Sequence, residues 1–180
     1  MKEIRYVALL RGINVGGNKK VPMAELKKAF ESLDFHDVKT LLNSGNVIFD
    51  SSTSDILKLT KQIEDKIKEV FGFEVGVIIR QISEIHNLIH SDPFKKITVT
   101  PETRLYVTFL SEKPTSTLKI PYESPDKDFK IIHCTNYEVC SVLTLSEKTR
   151  TVDSMKILEN EYGKKITTRN WNTVKKIVML

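Results

Sequence analysis

The chain has little cysteine and no long apolar run. Its 180 residues contain two cysteines, Cys134 and Cys140, too few for the disulfide framework of a small secreted domain. No apolar run reaches the roughly 18 residues that a membrane-spanning helix needs. Residues 1–5 also lack the apolar segment of a secretory signal. We therefore expect a cytoplasmic protein with two reduced thiols and no membrane association.

Acidic residues are scarce in two segments. The chain carries 28 Lys and Arg against 23 Asp and Glu, a formal net charge of +5. Residues 11–28 contain five basic residues and one acid, and residues 162–180 contain five basic residues and no acid. Two basic segments on an otherwise slightly acidic chain fit an anionic partner. Solvated helix faces are the simpler alternative.

The first half of the chain has clear apolar patterns. The 180 residues are enough for one medium domain or two small lobes. Hydrophobic residues make up 40% of them, so the chain can bury a core. Short apolar runs indicate strands, and apolar residues at helical spacing indicate helices. The resulting β-α-β-β-α-β order predicts a ferredoxin-like lobe over residues 1–80. Its predicted elements are a strand over 4–10, a helix over 22–33, strands over 38–43 and 47–49, a helix from Ser54 or Asp55 to Gly72, and a strand over 74–79.

The second half repeats this order loosely. A helix over 82–90 lies in a connecting segment, 81–102, and residues 103–180 predict an α+β lobe that ends in a helix. Three prolines after its first strand leave room only for a short helix there. The predicted elements are a strand over 104–110, hairpin strands over 129–133 and 139–145, a helix over 152–162, a short strand over 165–167 and a helix over 171–179. We therefore predict an α+β fold of duplicated ferredoxin-like lobes packed together.

Several predicted strands are apolar on both faces, such as residues 6–10 and 75–79. Helices can cover only one face of this kind of sheet, so the other face needs the second lobe or a second subunit. A homodimer is therefore one expected arrangement. An open sheet that stacks nucleobases is not expected.

A basic loop rich in Gly and Asn follows the first strand. Its glycines permit left-handed backbone and close approach of a ligand, and the helix that starts near Pro22 has a poor N-cap, which leaves N–H groups for an anion. The spacing of Gly12 and Gly17 resembles a P-loop, but Asn18 and Lys19 replace its Lys and its Ser or Thr, so we exclude ATP hydrolysis. A purely structural turn is the alternative. The candidate anion-binding residues here are Arg11, Gly12, Asn14, Gly16, Gly17, Asn18, Lys19 and Lys20.

Two further segments contribute candidates. Ser44 and Asn46 belong to the predicted hairpin turn of residues 43–46, which is the simpler explanation for them, although the polar amides of the turn, from Asn43 and Asn46, could also line a pocket. Residues 167–171 predict a helix entry with an exposed Arg169, a candidate phosphate or carboxylate clamp. Asn170 is the expected N-cap.

One hypothesis places three of the basic residues in a single binding site. We expect Arg11, Lys19 and Arg169 to share a cleft between the lobes, while Trp171 is expected to anchor the core.

Metal or nucleophilic chemistry has weak support. His86 and His90 have the spacing of a metal pair but lack the glutamate between them and a clear third ligand. His133 and Cys134 beside Cys140 suggest a thiolate, and the two cysteines could face each other across a hairpin, but a cytosolic chain favours two reduced thiols. We therefore predict no metal and no cofactor, and assign no catalytic residue.

Three motifs in one order carry a family resemblance: residues 10–20, 43–49 and 167–173. With them the whole chain resembles the bacterial family called domain of unknown function 1697 (DUF1697). The resemblance implies a duplicated ferredoxin-like α+β fold and a small cytosolic protein. It implies no reaction, substrate or catalytic residue.

Three functions remain open at this point. The first is a non-enzymatic protein that binds a phosphate-bearing small molecule or nucleic acid through the basic loop. The second is a small enzyme that acts on a phosphorylated or nucleotide-like metabolite in a cleft between the lobes. The third is a dimeric structural or interaction protein.

Overall fold

A computed structural model describes residues 3–17, 19–146 and 151–180. It shows a mixed α+β fold with two antiparallel sheets and, in the described residues, five helices. The chain divides into two compact units. Unit 1 contains residues 1–87 and 176–180, and unit 2 contains residues 88–175.

Unit 1 has the predicted β-α-β-β-α-β order, followed by the start of a third helix. Its four strands form one antiparallel sheet in the order β2-β3-β1-β4. The elements are β1 Ile4–Leu10, α1 Met23–Glu31, β2 His36–Leu41, β3 Asn46–Ser51, α2 Ile56–Phe71, β4 Val77–Gln81 and α3 Ile82–Ser91.

Helix α2 begins and ends where its sequence predicts. The carboxylate of Asp55 accepts a hydrogen bond from the Lys58 amide at 3.1 Å, and Gly72 ends the helix in the left-handed conformation with φ 79°. Between these caps, Leu59, Ile63 and Ile67 recur at helical spacing and are fully buried. The helix is therefore fixed by two local caps and one apolar stripe.

Aromatic rings fill the core between the helices and the sheet of unit 1. The ring of Phe49 lies 4.5 Å from that of Phe35 and 5.6 Å from those of Phe30 and Tyr6, centroid to centroid. On the other face of β1, Val7 and Leu9 are also buried. Both faces of the central strand are thus shielded from solvent, as its apolar sequence predicts.

Unit 2 forms a sheet of five strands in the order β6-β7-β8-β5-β9. Its elements are β5 Thr103–Leu110, β6 Tyr122–Glu123, β7 Phe129–Cys134, β8 Glu138–Thr144, α4 Thr151–Tyr162, β9 Ile166–Asn170 and α5 Trp171–Ile177. The segment between β5 and β7 holds a two-residue strand, and its described residues include no helix. The short helix that the prolines allowed is absent there.

Two strand predictions need correction. Strand β4 begins at Val77 instead of residue 74; before it, the carbonyls of Glu74 and Gly76 accept hydrogen bonds from Lys19 Nζ and the Arg11 N–H. Strand β9 extends to Asn170, since residues 166–170 pair with β5. The predicted helix entry at 167–169 is therefore strand.

The two cysteines lie on opposite faces of the unit 2 sheet. Cys134 pairs with Val139, so these two side chains share a face, and Cys140 is the next residue along β8. Successive strand residues alternate between faces, so the expectation that the thiols could face each other is wrong. Neither cysteine is part of a disulfide.

None of the helices in the described part of the chain has the length and apolar character needed to cross a bilayer.

Candidate functional site

The side chain of Asn14 joins both ends of the loop after β1 and also reaches the hairpin turn after β2. Its amide nitrogen donates to the carbonyls of Val21 at 3.0 Å and Asn43 at 2.9 Å. Its amide oxygen accepts from the Val21 backbone N–H at 2.8 Å, and its own N–H donates to the Lys19 carbonyl. Asn14 adopts a φ of 56°, which Asn tolerates better than most residues. The loop is therefore preorganised, and Asn14 has the structural role that the turn alternative proposed.

The glycines of this region separate into two kinds. A Cβ placed on Gly45, which is buried, would lie 2.8 Å from the Leu10 Cβ, so packing requires Gly there. A Cβ on Gly12, Gly16 or Gly17 would meet nothing within 4 Å. All four have positive φ. The space above the loop glycines is open, which is the arrangement that close approach of a ligand needs.

An open cavity of about 390 Å³ lies between this loop, the hairpin turn after β2 and the start of α1. We call it the Lys20 cavity. Helix α1 begins after Pro22, and no side chain of the described residues caps it. Its first N–H groups and the positive end of its dipole thus lie beside the cavity. The lining residues are Asn14, Gly17, Lys20, Val21, Pro22, Met23 and Asn43.

The basic residues of the loop differ in their surroundings. Lys19 donates from Nζ to the Glu74 carbonyl at 2.7 Å and lies over the Phe73 ring. It also helps Lys68 to hold the pKa of the Glu74 carboxyl below its ordinary value. Lys20 is exposed and lines the cavity, whereas Arg11 is half-buried. Lys20 is thus the cation best placed to meet a ligand in the cavity.

Ser44 and Asn46 have the turn role that was the simpler explanation. The Asn46 side chain is fully buried and donates to the Leu41 carbonyl at 2.8 Å and to Ser44 Oγ at 3.0 Å. These bonds close the hairpin between β2 and β3. Neither residue lines the cavity; their neighbour Asn43 does.

Arg169 lies in unit 2 and is not exposed, contrary to expectation. Its side chain is 6% accessible, and Nη1 donates to Thr167 Oγ1 at 2.8 Å and to the Thr168 carbonyl at 3.0 Å. Burial lowers its pKa to about 10, because desolvation disfavours the cation. The shared cleft with Arg11 and Lys19 stays a prediction.

The neighbours of Arg169 follow their predicted roles. Asn170 Oδ1 accepts from the Asn172 amide at 2.9 Å, as an N-cap does. Trp171 is buried, and its ring centroid lies 5.1 Å from that of Phe94.

Metal and thiol chemistry find no support in the described part of the chain. It contains no group of three or more His, Cys, Asp or Glu placed to hold a metal. Burial raises the pKa of Cys134 and raises that of Cys140 to about 12, which disfavours the reactive thiolate.

Sequence reasoning missed three residues of the cavity. Val21 and Met23 were not candidate ligand contacts, and Pro22 was noted only as a helix start. Asn43 belongs to the turn whose polar amides were weighed as a possible pocket lining, and it does line the cavity. The available signal was a helix that opens with Pro and has no Ser, Thr, Asp or Asn cap. Asn18, a predicted ligand, lies outside the described residues.

One comparison with known proteins, the match to a family model, identifies a family whose function is unknown. The family model described as "Protein of unknown function (DUF1697)" matches residues 4–139. The structure of the conserved bacterial protein SP0830 from Streptococcus pneumoniae is similar with a TM-score of 0.73 and 24% identity, over 99% of this chain and 98% of that one. An unknown protein from Galdieria sulphuraria has 12% identity and a TM-score of 0.27, over 94% of this chain and 99% of that one. No curated protein matches the chain. The likeness to the Streptococcus protein supports the mixed α+β fold alone.

Proposed function

Because the chain belongs to the DUF1697 family, whose function is unknown, we propose a function from the geometry of unit 1: the Lys20 cavity binds a phosphate-bearing ligand. The observation that carries this proposal is a helix start without a side-chain cap that opens on a cavity containing Lys20. Backbone N–H groups at a helix start and a nearby cation both stabilise an anion.

The lining of the cavity favours an anion over a cation. Its one charged residue is Lys20, and its polar members, Asn14 and Asn43, supply amide groups. No carboxylate occurs among its described lining residues. Glu25 in the first turn of α1 stabilises the same helix end, so a bound phosphate would share that field with one acidic side chain.

The same lining favours binding over catalysis. General acid–base chemistry needs a side chain whose pKa is near the working pH, and among the described lining residues Lys20 is the sole titratable group. We therefore rank the small enzyme second, behind a binding protein.

A thermal-shift experiment with inorganic phosphate tests this proposal. Ligands that bind only the folded state raise its melting temperature, so phosphate at millimolar concentration should raise that of the wild type more than sodium chloride at equal ionic strength does. Lys20→Ala should abolish the phosphate-specific rise. Lys58→Ala is the matched control, because Lys58 is an exposed lysine that does not line the cavity.

Two results would contradict the proposal. One is an equal rise in phosphate and in sodium chloride for the wild type. The other is a phosphate-specific rise that Lys20→Ala leaves intact.

We also propose that the units are duplicated ferredoxin-like modules. In unit 1, Val7 of β1 pairs with Ile48 and Arg80. In unit 2, Val107 of β5 pairs with Cys140 and Arg169. The strand orders β2-β3-β1-β4 and β7-β8-β5-β9 then correspond position by position.

Two local details support the same correspondence. Arg80 and Arg169 each donate from Nη1 to the carbonyl of the preceding residue, at 2.9 and 3.0 Å. Each unit also has a register shift in the equivalent strand, between His36 and Lys39 in β2 and between Ile131 and His133 in β7. Such bulges are specific features of a sheet, so their repetition fits a common origin.

A further inference from the structure

We propose that a second copy of this chain binds the outer edge of β2, so that two copies form a symmetric dimer through antiparallel β2 strands. This surface is separate from the Lys20 cavity. Two observations support the dimer: the equivalent edge of unit 2 already binds an added strand, and the charges along β2 are complementary to themselves in the antiparallel direction.

Strand β2 lies at one edge of the unit 1 sheet, and no strand of the described residues pairs with its outer side. Its first two residues are exposed, with 68% of the His36 side chain and 49% of the Asp37 side chain accessible. The outward N–H and C=O groups of an edge strand are a template for a further strand. The β2 edge is therefore accessible to a partner.

The equivalent edge of unit 2 is occupied by a strand. Strand β7 corresponds to β2 in the order of the two sheets, and both contain one extra residue relative to the strand on their inner side. His36 takes the place of Lys130, because their partners, Asp50 in β3 and Val142 in β8, are equivalent in the two registers. The outer side of β7 pairs with β6 in the antiparallel direction.

The pairing of β6 shows what such an edge accepts. Bulges and charged residues often protect an edge strand, yet β6 pairs with β7 directly before the bulge, with Tyr122 opposite Ile131 and Glu123 opposite Lys130. The Glu123 carboxylate lies 2.5 Å from Lys130 Nζ, so an acid on the added strand meets a base on the edge. The bulge of β2, at the equivalent place, is thus compatible with an added antiparallel strand.

The segment 34–39 has a charge order that is complementary to itself. Its sequence is Asp-Phe-His-Asp-Val-Lys. If a second copy takes the register of β6, each base of the segment faces an acid of the other copy, and the two apolar residues take facing positions. The facing residues are His36 and Asp37, Lys39 and Asp34, and Phe35 and Val38. Each contact occurs twice by the two-fold symmetry, as an isologous interface requires.

The ion pairs that β2 already makes are compatible with this arrangement. Asp37 Oδ2 lies 2.9 Å from Arg5 Nη2 and 3.1 Å from Lys39 Nζ, and His36 Nδ1 lies 2.6 Å from Glu3 Oε1. A residue on an adjacent strand lies beside these side chains, with Cβ atoms about 5 Å apart. The second copy's Asp37 can therefore meet His36 Nε2 while Nδ1 keeps its bond to Glu3.

Sedimentation equilibrium of the full chain tests the dimer. One pair of short strands buries less than the roughly 1,600 Å² of a standard interface, so we expect a weak dimer with a Kd of about 100 µM. The average mass should then rise from that of one chain toward that of two between about 10 µM and about 1 mM. A wild type that stays monomeric over this range would overturn the proposal, and is the result expected of an edge that binds a different protein.

Two charge-reversing variants locate the interface. In a symmetric pair, His36→Asp places acids opposite acids and Asp37→Lys places bases opposite bases, so each variant alone should stay monomeric. An equimolar mixture restores an acid opposite a base at both positions and should associate as the wild type does. Because only folded chains can do this, the mixture also controls for folding.

Lys58→Asp is the matched control. Lys58 is exposed on α2, a helix that binds β4, at the opposite edge of the sheet, through the bond from the Val77 N–H to Glu64. This variant should associate as the wild type does. Loss of association in Lys58→Asp, single β2 variants that associate normally, or a mixture that stays monomeric would each overturn the proposed edge.

Discussion

Units 1 and 2 have corresponding strand registers and differ most in the segment that follows the first strand. In unit 1 this segment is a loop pinned by Asn14, followed by α1. In unit 2 the segment after β5 contains Pro114 and Pro121, and leads to the two-residue strand β6. Sheets of equivalent register therefore carry a preorganised loop and cavity in one case and an irregular crossover in the other. The difference places the candidate site in the variable connection and not in the sheet.

The helix-covered faces of the two sheets also differ in how completely their aromatic side chains are buried from solvent. In unit 1 the large rings on this face, such as Tyr6 and Phe49, are fully buried. In unit 2, Tyr106, Tyr122 and Tyr162 are only half-buried where they pack against the core. Tyr106 pairs with Ser141, whose hydroxyl is fully buried and has no hydrogen-bond partner in the described part of the chain. Burying this hydroxyl costs unit 2 free energy, whereas the described residues of unit 1 include no buried side-chain polar atom without a partner.

The largest expected effect concerns the two kinds of glycine in unit 1. Gly45→Ala should lower the free energy of unfolding by about 3 kcal/mol, because left-handed strain adds to a clash with Leu10. Gly16→Ala should cost about 1 kcal/mol, since only the strain applies. Urea unfolding of both variants measures the difference. Equal losses would show that Gly45 is not held by packing.

The smaller effect concerns two hydroxyls in unit 2. Ser141→Ala should raise the free energy of unfolding by about 1 kcal/mol, because it removes a buried hydroxyl without a partner. Thr108→Val should lower it by about 1 kcal/mol, since it breaks the 2.8 Å bond between the hydroxyls of Thr108 and Thr168. Denaturant unfolding gives both values. A loss in Ser141→Ala would mean that a bound water or ligand satisfies that hydroxyl.

The sequence predicted those parts of the fold that have local causes. The caps of α2 at Asp55 and Gly72 follow from the residue types themselves. The position of Arg169 does not, because β9 extends through it by pairing with β5, some 60 residues earlier in the chain. Pairing between distant strands outweighed the local pattern of a helix entry.

In the candidate site too, only the features with local causes could be predicted from the sequence. Its glycines and Lys20 are visible in the loop sequence, and the weak cap at Pro22 is a local signal. Asn43 joins the cavity through a hydrogen bond to Asn14, 29 residues away. No local pattern encodes such a contact, so the meeting of this loop with the hairpin turn could be established only from the folded structure.

The central claim is that the ligand binds in unit 1, at the Lys20 cavity. Titration of the full chain with inorganic phosphate, followed by amide NMR shifts, tests it most directly. The account predicts the largest shifts at the amides of Gly16 and Gly17 and at the first turn of α1, Met23 and Ala24, with small changes throughout unit 2. Largest shifts around Arg169, or shifts spread evenly over the exposed lysines, would contradict it.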